Sequence, residues 1–139
     1  MEIVSYLLRF DYRYDAAGEP FPMLQPKISS PRDPERAVEV DAFLDSGAQR
    51  SLFQGWIATV LGFDLLAGDS IRYVSTIGRG TEARLHTIRL SHPDLGDFQL
   101  QVGFSTAEIS RNLLGRDFFN LVQIGFRERH WAFYITPTP

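Results

Sequence analysis

The sequence predicts an all-β protein, a closed or sandwich-like β barrel with one or two short helices. Apolar and polar residues alternate in several short runs, which is typical of strands with one face in water. Clusters of Gly, Pro, Asp and Ser separate these runs and favour turns. With 139 residues, the chain is long enough for one hydrophobic core, and we expect residues 1–139 to form a single domain.

The first run predicts a strand within residues 3–14. Its last part alternates strictly, with one face formed by Leu8, Phe10, Tyr12 and Tyr14. Five of the eight prolines fall between Pro20 and Pro34, which favours edge strands or loops because proline lacks a backbone donor. Residues 30–34, Ser-Pro-Arg-Asp-Pro, are interpreted as a loop.

A strand over residues 37–44 is predicted next. Residues 51–61 carry apolar side chains at helical spacing and predict a helix, with Ser51 as a candidate cap. The alternation in residues 50–53 also allows a strand there, so the first half of this segment is left open.

The second half of the chain predicts further strands around glycine-containing turns. Residues 71–75 and 83–90 form a hairpin whose tip, residues 76–80, contains two glycines. Strands are also expected at residues 98–104, 122–126 and 131–135. Residues 112–119 predict a buried strand that leads through a glycine into a short helix reaching Leu121.

One carboxylate stands out. The apolar residues before Asp45 predict a buried strand that ends directly in the Ser46-Gly47 turn. An aspartate is rarely buried without a partner, and a strand entering a tight turn can present one at the floor of a cleft. Asp, Ser and Gly are also the commonest turn residues, so the tripeptide alone is compatible with a plain turn.

Two sequence motifs, taken in their order along the chain, resemble those of a known protein family. Residues 43–48, Phe-Leu-Asp-Ser-Gly-Ala, and residues 113–118, Leu-Leu-Gly-Arg-Asp-Phe, flank a glycine-bearing hairpin. From about Val38 to Ile135, this arrangement resembles the retropepsin-like aspartic proteases. The resemblance implies that Asp45 is catalytic, that Ser46 braces the loop of a second subunit, and that Gly47 and Ala48 line the cleft. It also implies a flap formed by Thr76, Ile77, Gly78, Arg79 and Gly80, and structural support from Gly115 and Arg116.

The chemistry of that family needs two carboxylates. Peptide hydrolysis by water requires a base and an acid, and two carboxylates that share one proton supply both. The chain has one Asp-Ser-Gly, since Asp69-Ser70 is followed by Ile71. The resemblance therefore implies a homodimer with one Asp45 per subunit, which cleaves protein or peptide substrates without a metal or cofactor. A non-catalytic retropepsin-like module for dimerisation or peptide binding is the alternative.

Arg116 is predicted to brace the structure, because a guanidinium cannot act as a general acid near neutral pH. Viral members of the family commonly place an acid two residues after the motif glycine, where this chain has Gln49. The partner of Arg116 is therefore open, and Gln49, a backbone carbonyl, Asp11 and Asp41 are the candidates. Asp117 is expected to start a helix, where the macrodipole favours an acid.

Composition argues against several other functions. A net charge of -3 and a pI near 5.5 lack the basic footprint of a nucleic-acid-binding protein. The absence of cysteine excludes disulfides and thiol nucleophiles, and the three histidines lack metal-ligand spacing. Charged residues interrupt the first 15 positions and no apolar run has the length of a membrane span, so we expect a cytoplasmic protein without a signal peptide.

Overall fold

A computed structural model describes residues 1–74, 78 and 80–137 of the chain. Strands dominate it and form sheets of nine, three and two strands within these residues. The nine-stranded sheet curls into a half barrel. The prediction of an all-β fold with short helices is confirmed.

Most elements are short, whereas the strands Gly80–His92 and Gly96–Ser105 have 13 and 10 residues. The strands are β1 (Leu8–Asp11), β2 (Arg13–Tyr14), β3 (Pro20–Phe21), β4 (Met23–Leu24), β5 (Lys27–Ser30), β6 (Asp33–Glu39), β7 (Ala42–Leu44), β8 (Leu52–Phe53), β9 (Asp69–Val74), β10 (Gly80–His92), β11 (Gly96–Ser105), β12 (Asn112–Leu114), β13 (Val122–Arg127) and β14 (Ala132–Pro137). The α-helices are α1 (Gly55–Val60) and α2 (Arg116–Phe119), and short 3₁₀ turns cover Leu65–Ala67 and Glu128–His130. Within the described part of the chain, no helix has the length and apolar character needed to cross a membrane.

The order of strands brings the two sequence motifs together. In the large sheet the order is β4-β7-β12-β8-β11-β10-β5-β6, with β9 paired to β10. Strand β12 lies between β7 and β8 and runs parallel to β7, with Leu114 opposite Leu44. Because parallel neighbours end at the same edge of a sheet, the residues that follow β7 and those that follow β12 meet there.

The strand predicted over residues 37–44 is interrupted, and this prediction was wrong in part. Strand β6 ends at Glu39 and pairs with β5, whereas β7 begins at Ala42 and pairs with β4 and β12. Between them, buried Val40 donates its N–H to the carbonyl of Pro26 at 3.0 Å. The two strands have different neighbours, so the chain turns from one pairing to the other at Val40 and Asp41.

Two other boundaries differ from the prediction. The loop expected at residues 30–34 is shorter, because β6 already begins at Asp33; Pro34 is tolerated there since β6 is an edge strand. Residues 51–61 divide into β8 and α1, so the helical pattern holds only from Gly55. The residue at the helix start is Gln54, and Ser51 does not cap it.

The core contains four fully buried phenylalanines, Phe53, Phe104, Phe118 and Phe133. The three-stranded sheet, in the order β1-β14-β13, packs its apolar face against this core. Phe10 of β1 stacks on Phe133 of β14 with ring centroids 5.2 Å apart. The N-terminal and C-terminal strands therefore pair within one chain.

Tyr12 makes the stability of this region sensitive to alkaline pH. Its hydroxyl donates to Glu128 Oε1 at 2.9 Å, and burial together with this bond raises its pKa from 10.0 to about 12. The folded chain thus holds the phenolic proton more tightly than the unfolded chain. This contribution to stability is complete below pH 10 and is lost as the pH rises to about 12.

We expect the free energy of unfolding to fall over that window, and to fall less steeply in Tyr12→Phe. Urea unfolding at several pH values between about 9 and 11.5 measures both slopes. Glu128→Gln is a second variant, which keeps an acceptor and removes the charge, and it should give an intermediate slope. Equal slopes in the wild type and Tyr12→Phe would contradict the assignment.

Candidate active site

One face of strand β7 packs on the core, and Asp45, which follows the strand, lies on the opposite, second face. Val40, Ala42 and Leu44 belong to the core cluster. Successive side chains of a strand point to opposite faces, so Phe43 and Asp45 lie on the side away from that cluster. Phe43 is only 9% exposed although it is not a member of the cluster.

The second face continues across the neighbouring strands as an apolar row. Phe43 lies opposite Met23 of β4 and Leu113 of β12, and Leu113 lies opposite Leu52 of β8. Their sequence neighbours on the other face, Leu24, Leu44, Leu114 and Phe53, are all core residues. Met23, Phe43, Leu113 and Leu52, called the apolar row below, thus form a floor beside Asp45.

Backbone hydrogen bonds hold the loop that contains Asp45. The Asp45 N–H donates to the carbonyl of Leu114 at 2.9 Å, and the Ala48 N–H donates to the carbonyl of Asp45 at 3.2 Å. The Gly47 N–H donates to Asp45 Oδ1 at 2.9 Å. The Asp45 side chain is partly exposed, and Ser46 and Gly47 are exposed. The carboxylate is therefore fixed at one oxygen and partly accessible to solvent.

Gly115 packs directly under this loop. A Cβ atom at Gly115 would lie 2.6 Å from the carbonyl oxygen of Ala48 and 2.9 Å from the carbonyl carbon of Arg50. Its N–H donates to Ser51 Oγ at 3.0 Å. A larger residue would displace the loop backbone, so the close approach of the two motifs requires glycine.

Arg116 supports the loop through its backbone. Its N–H donates to the carbonyl of Ala48 at 2.8 Å. Its guanidinium is exposed and makes no hydrogen bond or ion pair with the residues that the structure describes. Of the partners considered, Asp11 pairs with Arg9, and Asp41 accepts from Gln25 Nε2. The bracing role of this side chain stays a prediction.

Ser51 and Asp117 form a clamp that the sequence did not reveal. Ser51 is completely buried; its N–H donates to Asp117 Oδ2 at 2.9 Å and its hydroxyl donates to Oδ1 at 2.6 Å. Asp117 Oδ1 also accepts from the Phe118 N–H at 2.8 Å, so it does bond at the start of α2. The Ser51–Asp117 clamp joins the segment after the Asp45 loop to that helix.

Tyr73 connects the clamp to the predicted flap hairpin. Its hydroxyl donates to the carbonyl of Ser51 at 2.7 Å, and burial raises its pKa. Its ring packs on Gly103, where a Cβ atom would overlap it. Tyr73 therefore links the base of the hairpin to the segment that follows the Asp45 loop.

The predicted hairpin is confirmed, since β9 and β10 are antiparallel with Val74 opposite Gly80. Gly78 has a φ of +85°, a conformation that glycine adopts without strain. The other predicted flap residues, Thr76, Ile77 and Arg79, lie outside the described residues. The role of the hairpin as a flap stays a prediction.

Metal chemistry has no candidate ligands in the part of the chain that is described. Among residues 1–74, 78 and 80–137, no group of three or more His, Asp or Glu side chains could hold a metal ion. The His86 ring packs against Phe63 and Phe104, and its Nε2 lies 2.9 Å from the carbonyl oxygen of Leu65.

No protein-family model and no curated protein sequence matches the chain. Several solved structures do match the chain. A retropepsin-like aspartic protease from Rickettsia conorii aligns with a TM-score of 0.63 and 15% identity over 94% of this chain and 99% of that one. EIAV protease complexed with the inhibitor HBY-793 aligns with a TM-score of 0.51 and 17% identity, over 78% and 91% of the two chains.

A third structure, the retroviral protease-like domain of Ddi1 from Leishmania major, aligns with a TM-score of 0.53 and 21% identity. This alignment covers 84% of the present chain and 94% of that domain. At these identities the likeness concerns the fold. The chain therefore has the fold of the retropepsin-like aspartic proteases.

Proposed function

We propose that the protein is a homodimeric aspartic endopeptidase, in which Asp45 from each of two chains activates a water molecule for attack on a peptide bond. The position of Asp45 carries the proposal. It is a partly exposed carboxylate beside the apolar row, in a loop fixed by backbone hydrogen bonds. The fold shared with aspartic proteases supports it.

Two Asp45 carboxylates that hold one proton can supply both catalytic functions. The ionised carboxylate removes a proton from water as the water oxygen bonds to the peptide carbon, and the protonated carboxyl donates to the carbonyl oxygen. The carboxyl that took the proton from water then donates it to the amide nitrogen as the C–N bond breaks. The other carboxylate takes a proton from a hydroxyl group of the intermediate, which leaves a carboxylic acid, an amine and the original singly protonated pair. Because the pair must carry one proton, activity is expected at acidic to near-neutral pH.

The remaining site residues are assigned supporting roles in this proposal. Ser46 braces the loop of the second chain, and Gly47 and Ala48 line the cleft. Residues 76–80 cover the substrate as a flap, and Gly115 with Arg116 supports the loop from below. An extended substrate would pair its backbone with the flap and with the strand after Gly47, as in strand addition.

The proposal predicts that specific activity depends on protein concentration. One chain contributes one Asp45, so only the dimer has the pair. Activity per chain should rise with concentration through the dissociation range of the dimer and then level off. Cleavage of fluorogenic peptide mixtures, measured beside the mass distribution from analytical ultracentrifugation, tests this.

Full activity in a strictly monomeric sample would contradict the proposal. A stable dimer that binds peptides and never cleaves them, at any pH between about 3 and 8, would instead support the non-catalytic module.

A further inference from the structure

Arg111 stands directly above the apolar row. Its guanidinium carbon lies 4.5 Å from the ring centroid of Phe43 and 5.2 Å from that of Phe21. The two rings are in contact, with centroids 5.3 Å apart. Arg111 precedes β12 and is two residues from Leu113, which lies opposite Phe43. The charge is thus held over the same face of the sheet that presents Asp45.

This guanidinium has free donors. Arg111 is exposed, and it makes no hydrogen bond or ion pair with any described residue, whereas Arg9, Arg84 and Arg89 each pair with an acid. Stacking on an aromatic ring uses the face of the guanidinium and leaves the N–H groups at its edge available. Those groups match the two oxygens of a carboxylate.

The described acids near Arg111 do not pair with it. It borders an open groove of about 540 Å³ that also contains three carboxylates, Asp15, Glu39 and Asp41. Asp15 accepts from the backbone N–H groups of Ala17 and Glu19, and Asp41 accepts from Gln25. Of the described acids, none forms an ion pair with Arg111.

We propose that Arg111 determines specificity by binding an aspartate or glutamate side chain of the peptide, one or two residues from the bond held over Asp45. Phe43 is two residues from Asp45, or roughly 6.6 Å along a strand, and an extended peptide has the same spacing per residue. An acidic side chain over Phe43 therefore reaches the guanidinium. This proposal rests on the proposed function, which supplies the cleaved bond. Its new element is the class of substrate, namely peptides with an acidic side chain near that bond.

Matched peptides test the assignment. Each of the two positions on either side of a cleaved bond is filled in turn with Glu, Gln or Lys, and kcat/KM is measured. At one or more of these positions the wild type should favour Glu over Gln by about fivefold or more. Arg111→Gln should remove this preference, so that the Glu and Gln peptides are cleaved with similar kcat/KM. Arg111→Glu should favour Lys instead.

Two controls separate charge from folding. Arg32→Gln removes an exposed arginine from the turn between β5 and β6 and should keep the Glu preference. In the wild type itself, the Glu preference should decline as NaCl rises from about 0.05 to 0.5 M, because salt screens exposed charges. Equal rates for Glu and Gln peptides in the wild type, at all four positions, would overturn the proposal.

Binding to Asp45→Asn distinguishes failure of this inference from failure of the proposed function. Fluorescence anisotropy measures the same peptides without cleavage. If the wild type cleaves nothing but peptides bind with a Glu preference that Arg111→Gln removes, the endopeptidase fails and the acidic-peptide site stands. If the wild type cleaves and neither rate nor binding depends on Arg111, the endopeptidase stands and the specificity assignment fails.

Discussion

Asp45→Asn is expected to abolish peptide cleavage while the fold and the dimer remain intact. The amide has the shape of the carboxylate, and its oxygen can still accept the Gly47 N–H that lies 2.9 Å from Asp45 Oδ1. It cannot remove a proton from water, so the rate should fall by about a thousandfold or more. Initial rates on a cleaved peptide, with circular dichroism for the fold, measure this.

Mixing variant and wild-type chains adds a sharper test of the two-chain site. With about nine Asp45→Asn chains for each wild-type chain, only about a tenth of wild-type chains find a wild-type partner in a freely exchanging dimer. Activity per wild-type chain should fall to about that fraction. Asp64→Asn, at an exposed acid whose side chain makes no capping hydrogen bond, is the matched control and should leave activity unchanged. If the mixture retains full activity per wild-type chain, each chain acts alone and the dimeric mechanism is wrong.

Asp117→Ala is expected to cause a large loss of stability. It removes the acceptor for the buried Ser51 hydroxyl and for the Ser51 N–H. It also removes one of two acceptors of the Phe118 N–H, which donates to the carbonyl of Gly115 as well, at 3.0 Å. A buried donor without a partner costs about 1–3 kcal/mol, so we expect a total near 3 kcal/mol. For a chain of this size, that corresponds to a fall in Tm of about 10 °C. Urea and thermal unfolding give both values.

The same variant links the clamp to the candidate site. Ser51 also accepts the Gly115 N–H through its hydroxyl and the Tyr73 hydroxyl through its carbonyl. Loosening the clamp should therefore reduce kcat under conditions where the variant is still folded. Asp117→Asn, which retains one oxygen acceptor, should lose less stability, and Asp64→Ala should lose almost none. A loss for Asp117→Ala as small as that of Asp64→Ala would show that the clamp contributes little.

Much of the fold and the centre of the candidate site could be predicted from the sequence. The period of two in the short apolar runs predicts the strands, because burial of one face imposes that period wherever a strand pairs. The glycine-rich segment before Ala83 predicts the hairpin for a similarly local reason. The sequence also determines that each chain carries one Asp-Ser-Gly, and hence that a pair of such aspartates requires two chains.

Tertiary structure alone decided the features that depend on distant residues. The break at Val40 and Asp41 reflects a change of pairing partner, which alternation cannot show. Ser51 and Asp117 are 66 positions apart, and Arg111 stacks on rings far away in sequence, so neither contact leaves a local pattern. Periodicity records which side of a segment is buried. Which residues meet across the sheet is determined by strand order, and β12 lies between β7 and β8 only in the folded chain.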